Sequence, residues 1–316
     1  TSGYIGRDRV EGSPEDETYT LEQLVGPNSR YNFRLVPANA PETLLLVDSS
    51  QRTFGGRMPP PKDDPTFADA AGQAADLLEQ YRPLFFGETP PPAHRRGVDF
   101  GVQAFGLSFG GGQEEPGRIY HAEAELKLLE QLRTAKCMIR LAQHASRCFE
   151  YWAPDLYLFF ASYMGTLFSL FPHLDFNFVG SIFACCTLNF GPKTITIEHL
   201  DHMNYIFGWC AVTALGSFNF RKGGHMILWD LGLVLEVPPG WTMLIPSAYL
   251  RHSNTLIGSG EKRFSITQYT AGGLIRVLED GGKARSKMGK AERREAEEAQ
   301  RARINEGLNL YSKLSD

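Results

Sequence analysis

From Asn177 to Gly272 the chain stops reading as helix. It becomes a succession of short β-branched and apolar runs separated by Gly and Pro turns, notably Val237-Pro-Pro-Gly-Trp241 and Gly258-Ser-Gly-Glu-Lys262. Before that switch, Leu129, Leu132, Cys137, Leu141, Ala145 and Phe149 recur every few residues, with Lys127, Arg133, Lys136, Arg140 and Gln143 mostly opposite. Residues 155–171 continue the helical pattern beyond the break at Pro154. Helices first and strands afterwards predict an α+β protein, a β-barrel or sandwich with helices packed on one side.

The flanks divide the chain further. Residues 1–40 read as an N-terminal extension, and Thr43-Leu-Leu-Leu-Val-Asp48 as a strand. Asp64-Pro65-Thr66 opens a helix into Ala68–Tyr81, between breakers at Pro59–Pro61 and Pro90–Pro92. Residues 100–117 alternate like a strand and end in a Gly-rich loop. One domain over 41–282 is expected, with a helical layer at about 64–171 and a strand core at about 176–273. Residues 283–316 are set apart by charge. Lys or Arg stands at 283, 285, 287, 290, 293, 294, 301 and 303, and Glu at 292, 295, 297, 298 and 306, as in a solvated, salt-bridge-laced C-terminal helix.

The strand region carries the chemistry. Thr194-Ile-Thr-Ile-Glu-His199-Leu-Asp201 places a His and an Asp two residues apart after a β-branched run. On a strand those two side chains face the same way. Leu250-Arg-His252-Ser-Asn follows, and then Lys262-Arg263-Phe-Ser265. Two imidazoles and one carboxylate, with coordination positions left open, are the ligand set of non-haem Fe(II) oxygenases, so His199, Asp201 and His252 are the expected metal ligands and catalytic set. Arg263 and Ser265, at i and i+2, would hold the far carboxylate of a keto-acid cosubstrate. The plain alternative for Arg263 is a solvent pair with Glu261. A second copy of the pattern, His173-Leu-Asp175, follows Phe171-Pro172 at the end of an apolar helix and is expected to turn the chain. His225, after Gly223-Gly224, could compete as the third ligand, but a core or supporting role is expected.

The whole set, His199-Leu-Asp201-His-Met-Asn204, His252 and Arg263-Phe-Ser265-Ile-Thr-Gln-Tyr269, resembles the TET/JBP family of nucleic-acid dioxygenases. It is similar in particular to the expanded group of mushroom-forming fungi, where runs like Ser108-Phe-Gly-Gly-Gly-Gln113 and Gly223-Gly-His-Met-Ile-Leu-Trp-Asp230 recur. The resemblance covers about residues 40–282. It implies a double-stranded β-helix (jelly-roll, cupin-like) core, Fe(II) and 2-oxoglutarate as cofactors, O2 as co-reactant and DNA with methylated bases as partner. Carried over residue by residue, it implies that Asn204 hydrogen-bonds a flipped base, that Tyr269 stacks on it, and that Gln113 contacts it from a loop. Ala271 departs from the family pattern, which often has a His there. That leaves N6-methyladenine open beside 5-methylcytosine. Arg95, Arg96, Lys193, Arg221, Lys222 and Arg251 are the loop cations available to phosphates.

Composition sets the remaining expectations. The net charge of −4 over 316 residues gives no overall basic footprint, so any nucleic-acid contact is local. Cys137, Cys148, Cys185, Cys186 and Cys210 lie in apolar stretches without disulfide-like spacing and read as reduced core residues. The opening Thr1-Ser2-Gly3 shows no secretory pattern, and an intracellular, nuclear location is expected. The apolar run Leu156–Phe171 is shorter than the roughly 20 residues that span a bilayer and predicts a buried core helix. No membrane contact and no obligate protein partner are inferred. Two other functions fit the same residues: a 2-oxoglutarate oxygenase of a protein side chain or small molecule, and a non-catalytic cupin-like binding module.

Overall fold

The computed structural model describes residues 17–39, 42–87, 100–110 and 113–314. In chain order a short helix α1 (Leu21–Leu24) leads into strands β1 (Arg34–Val36), β2 (Leu44–Val47) and β3 (Thr53–Met58). Helix α2 (Phe67–Phe86) comes next, followed by β4 (Phe100–Ser108) and β5 (Gly117–Arg118). Three helices follow: α3 (Glu123–Thr134), α4 (Lys136–Trp152) and α5 (Pro154–Leu170). The strand series is then β6 (Cys185–Pro192), β7 (Cys210–Ser217), β8 (Met226–Leu228), β9 (Leu233–Leu235), β10 (Thr242–Ile245), β11 (His252–Asn254) and β12 (Lys262–Tyr269). Helices α6 (Gly272–Glu279) and α7 (Lys290–Gly307) close the chain.

The strands form two sheets, an eight-stranded one in the order β2-β3-β10-β7-β12-β6-β4-β5 and a four-stranded one in the order β1-β9-β8-β11. All pairings are antiparallel except β1 with β9. Val36, Leu46, Ala214, Met226, Leu235, Met243 and Ile245 make one buried cluster from strands of both sheets. This is a double-stranded β-helix: two sheets packed face to face, with helices on the outer side of the larger.

Period-2 alternation on the central strands decides what faces what. On β12, Phe264 and Ile266 join Cys186, Leu188 and Phe190 of β6 beneath Phe67, Leu78, Leu141 and other residues of α2–α4. Each large apolar side chain so buried contributes about 1.5–3 kcal/mol. Ser265, Thr267 and Tyr269 of β12, with Thr187 and Asn189 of β6, point the other way and line a cleft between the sheets. The same strands therefore hold the helical layer with one face and a polar site with the other.

Several boundaries differ from the sequence expectation. The large sheet draws β2 and β3 from ahead of α2, and β4 and β5 from between α2 and α3, so its strands are not confined to 176–273. Residues 34–36 pair with β9, which places part of the expected 1–40 extension inside the domain. The long helix splits at Ala135, which is extended (ψ 128°) with no Pro or Gly to announce it. Helix α5 buries only a stripe, Leu156, Phe160, Met164 and Leu167, while Leu158 is 63% exposed. It is an outer-layer helix rather than a fully buried one. Among the described residues no helix is long and apolar enough to cross a membrane. None of the five cysteines is in a disulfide, and all but half-buried Cys148 are buried.

Helix α7 carries the expected ion pairs, Arg293–Glu297 and Arg294–Glu298. Beyond it the chain returns to the core. The Tyr311 hydroxyl donates to the Phe207 carbonyl (3.0 Å), and Thr53 N–H donates to the Ser312 carbonyl (2.8 Å).

Candidate metal centre

His252 stands on β11, laddered to β8. His199 reaches it from an irregular segment, and here the expectation of a regular strand over 194–199 is corrected. His199 and His252 exchange both backbone hydrogen bonds (3.1 Å each), and Asn254 N–H donates to the Thr196 carbonyl (3.0 Å). Between those two anchor points the His199 segment carries one residue more than β11, so the ladder breaks as at a bulge. The i, i+2 relation survives this: His199 Nε2 lies 3.9 Å from Asp201 Oδ1, and His252 Nε2 lies 3.9 Å from Asp201 Oδ2.

The three ligand atoms lie within 4.8 Å of one another, and Asp201 and His252 are buried. Each imidazole Nδ1 is hydrogen-bonded to the carbonyl two residues upstream, His199 to Ile197 (2.7 Å) and His252 to Leu250 (2.9 Å). A carbonyl can only accept, so Nδ1 carries the proton. Nε2 is left as a lone pair pointing at the other ligands, the arrangement a metal-binding histidine requires. Asp201 is fixed by its backbone N–H to the Ser247 carbonyl (2.9 Å). The donors suit a divalent first-row metal with open positions.

Arg263 is fully buried, donates from Nη1 to the Thr194 carbonyl (2.6 Å), and lies 5.9 Å from the Phe218 ring. Its Nε has no hydrogen-bond partner, and burial pushes its pKa down to about 10. Glu261 bonds instead to the backbone of Asn219 and Gly258, so the solvent pair with Arg263 does not form. A buried guanidinium with one carbonyl and one aromatic ring beside it and an unbonded Nε is costly and calls for an anion. Ser265 lines the cleft and accepts from Asn189 Nδ2 (2.9 Å), which leaves its own hydroxyl hydrogen to donate. Arg263 and Ser265 thus fit the distal carboxylate of a keto acid, and the His-Asp-His set fits the metal.

The cleft, of about 160 Å³, is lined by His199, Asp201, His252, Ser265, Asn204 and Tyr269 together with Met203, Thr187 and Asn189. Asn204 is both a turn residue, its N–H donating to the Asp201 carbonyl (2.8 Å), and a cleft residue whose Nδ2 donates to Ser247 Oγ (3.1 Å). The Tyr269 hydroxyl accepts from Thr187 Oγ1 (3.2 Å), and burial holds its pKa well above the usual phenol. Gln113 is not brought to this cleft: it is exposed and meets Ser108 at 3.5 Å. His225 is buried with Nδ1 on Thr255 Oγ1 (2.8 Å) and takes no part in the ligand cluster. Lys193, Arg221 and Lys222 are exposed, whereas Arg251 is engaged by Glu198 and Asp230. Arg95 and Arg96 lie outside the described residues.

Sequence reading missed Asn189, Thr187, Ser247 and the Glu198–Arg251 pair. The polar Thr187 and Asn189 alternating with apolar Cys186, Leu188 and Phe190 were the available signal for the first two.

No family model matches the chain, and no curated protein matches it. Among solved structures it is similar to NgTET1 in complex with 5mC DNA, at 15% identity and a TM-score of 0.40, over 78% of this chain and 84% of that one. It is similar to a viral collagen prolyl hydroxylase from Paramecium Bursaria Chlorella virus-1 in its 2OG complex, at 15% identity and a TM-score of 0.23. That match covers 27% of this chain and 57% of the other. A 2OG-Fe(II) oxygenase-family oxidoreductase from Burkholderia pseudomallei is 16% identical with a TM-score of 0.28, over 53% of this chain and 65% of that one.

Proposed function

We propose that this protein is an Fe(II)/2-oxoglutarate-dependent dioxygenase that oxidises the methyl group of methylated bases in DNA. One observation carries the oxygenase reading. Two tautomer-fixed imidazoles and an aspartate converge at a cleft, and a buried guanidinium lacking an anion lies on the strand that lines it. His199, Asp201 and His252 would hold the metal, and Arg263 with Ser265 would hold the far carboxylate of 2-oxoglutarate. The bound pair supplies activation of O2 for insertion of oxygen into a C–H bond.

The DNA substrate rests on Asn204 and Tyr269 at the cleft and on the resemblance of the motif set to TET/JBP enzymes. A base must leave the duplex to enter so small a space. Asn204 would then bind its polar edge and Tyr269 its face. A nuclear location goes with that substrate. The exposed position of Gln113 favours the rival reading, a 2-oxoglutarate oxygenase of a smaller substrate, because one of the three expected base contacts is not at the cleft.

The deciding experiment incubates the protein with Fe(II), 2-oxoglutarate and duplex oligonucleotides carrying 5-methylcytosine or N6-methyladenine, read by mass spectrometry. Loss of one methylated base with stoichiometric succinate is expected, and His199→Ala abolishes both. Succinate formation with neither base consumed overturns the DNA reading. No metal-dependent succinate at all overturns the oxygenase reading.

A further inference from the structure

The two ligand histidines are unequally anchored. His252 belongs to a laddered strand, but His199 sits where the ladder has broken, and its segment is joined to the sheet by scattered bridges. One residue upstream of each histidine, a side chain supplies what the ladder does not. Arg251 Nη1 donates to Glu198 Oε1 (2.9 Å), and Glu198 is only 10% exposed. The same guanidinium donates from Nε to Asp230 Oδ1 (2.8 Å), while Asp230 Oδ2 takes the Arg251 backbone N–H (2.7 Å). The Trp229 indole N–H donates to Ser253 Oγ (2.9 Å), so the short turn at 229–231 grips the chain on both sides of His252.

We propose that Arg251 is a positioning residue for the metal centre: it ties Glu198, beside one histidine ligand, to Asp230, which fixes the backbone beside the other, and so sets the His199–His252 spacing. The inference rests on the metal reading above. Only arginine can do this, because its planar fork offers separate donors to two carboxylates in different directions, whereas lysine concentrates its charge at one point. Arg251 is about a third exposed (31%), so the ion pairs contribute little to global stability. Their effect is local. The two carboxylates also occupy the cation that would otherwise be offered to a phosphate.

The test is a Co(II) titration of the full chain without cosubstrate, followed by the visible absorption of the bound ion. It compares wild type with Arg251→Gln, Arg251→Lys, Glu198→Gln and the Glu198→Gln/Arg251→Gln double variant. Each glutamine variant is expected to weaken Co(II) by about 10–100-fold, the usual cost of losing a partner that orients a metal ligand. The double variant should be no weaker than the weaker single, since the pair acts as one unit. Arg251→Lys should recover part of the loss through Glu198. The circular dichroism of the metal-free variants stays that of wild type, and their melting points lie within about 3 °C of it. Co(II) affinity within about twofold of wild type in Arg251→Gln, or fully additive losses in the double variant, overturns the proposal. If Arg251→Gln does not fold, Arg251→Lys and Glu198→Gln decide by the same criterion. Wild type that binds no Co(II) sinks the metal reading beneath it, a separate outcome.

Discussion

His173-Leu-Asp175 and His199-Leu-Asp201 have the same three-residue pattern and opposite fates. The first lies in the turn after α5, where His173 is exposed and Asp175 pairs with Arg118. The second has its aspartate buried, both residues on one cleft, and His252 delivered opposite by reciprocal backbone hydrogen bonds. Spacing puts two side chains on one side only where the backbone is held extended, and nothing holds the first copy so. The distinguishing feature is the partner strand.

The largest effect that would break this contrast is at the second copy. Asp201→Ala removes the carboxylate that we propose holds the metal. Spreading the ~10–16 kcal/mol of a four-ligand site evenly gives about 3 kcal/mol per ligand, so metal affinity should fall by roughly 100-fold or more. Turnover of 2-oxoglutarate at limiting Fe(II) should vanish with it. Retained Co(II) binding by calorimetry would remove the difference between the two copies.

Arg263→Met tests the proposed cosubstrate anchor, with two opposite signs. Loss of a buried charge partner should weaken 2-oxoglutarate by about 2–5 kcal/mol, read as KM or as a binding isotherm. The metal-free protein without cosubstrate should melt higher, because an unpaired buried guanidinium is replaced by an apolar chain of similar length. A lower melting point would mean that the Thr194 carbonyl alone satisfies Arg263 and that no anion is required.

His225, one residue ahead of β8, shows that a buried histidine in the strand region is not thereby a ligand. Burial lowers its pKa to about 4, against the opposing pull of the Glu22 carboxylate. Between pH 6.5 and 4 the unfolded chain binds a proton that the folded chain refuses, so stability falls as pH drops through that window and is flat below it. The full window is worth roughly 3 kcal/mol. His225→Gln should flatten denaturant midpoints across pH 4–6.5, with a residual slope from His144, which burial also lowers. An unchanged slope would place the acid sensitivity elsewhere.

What could be read from residues was what local periodicity encodes. The helical layer, the late strand series and the pairing of His199 with Asp201 followed from apolar spacing and β-branching, and Arg263 with Ser265 from alternation on one strand. Long-range contacts between unremarkable residues could not. Arg57 is fully buried, with its guanidinium on the Val36, Pro37 and Glu236 carbonyls, a role no local pattern announces. The docked end was foreshadowed only by Leu308, Leu310 and Tyr311 after a charged helix. Gln113 failed for the converse reason: a loop motif says little about where its tip will lie.

The smallest expected effect sharpens the comparison best, because it is a matched control for the first. Asp175→Ala makes the same chemical change as Asp201→Ala in the same sequence pattern. The Asp175 carboxylate is 63% exposed, and its ion pair with Arg118 is of the kind that contributes about 0–1 kcal/mol. Co(II) affinity and 2-oxoglutarate turnover should equal those of wild type, and the urea midpoint should move only slightly. A large loss of activity would mean that the turn after α5 communicates with the cleft through β5, where Arg118 sits opposite Leu107 of β4. The pattern at 173–175 would then have a function that its exposure does not suggest.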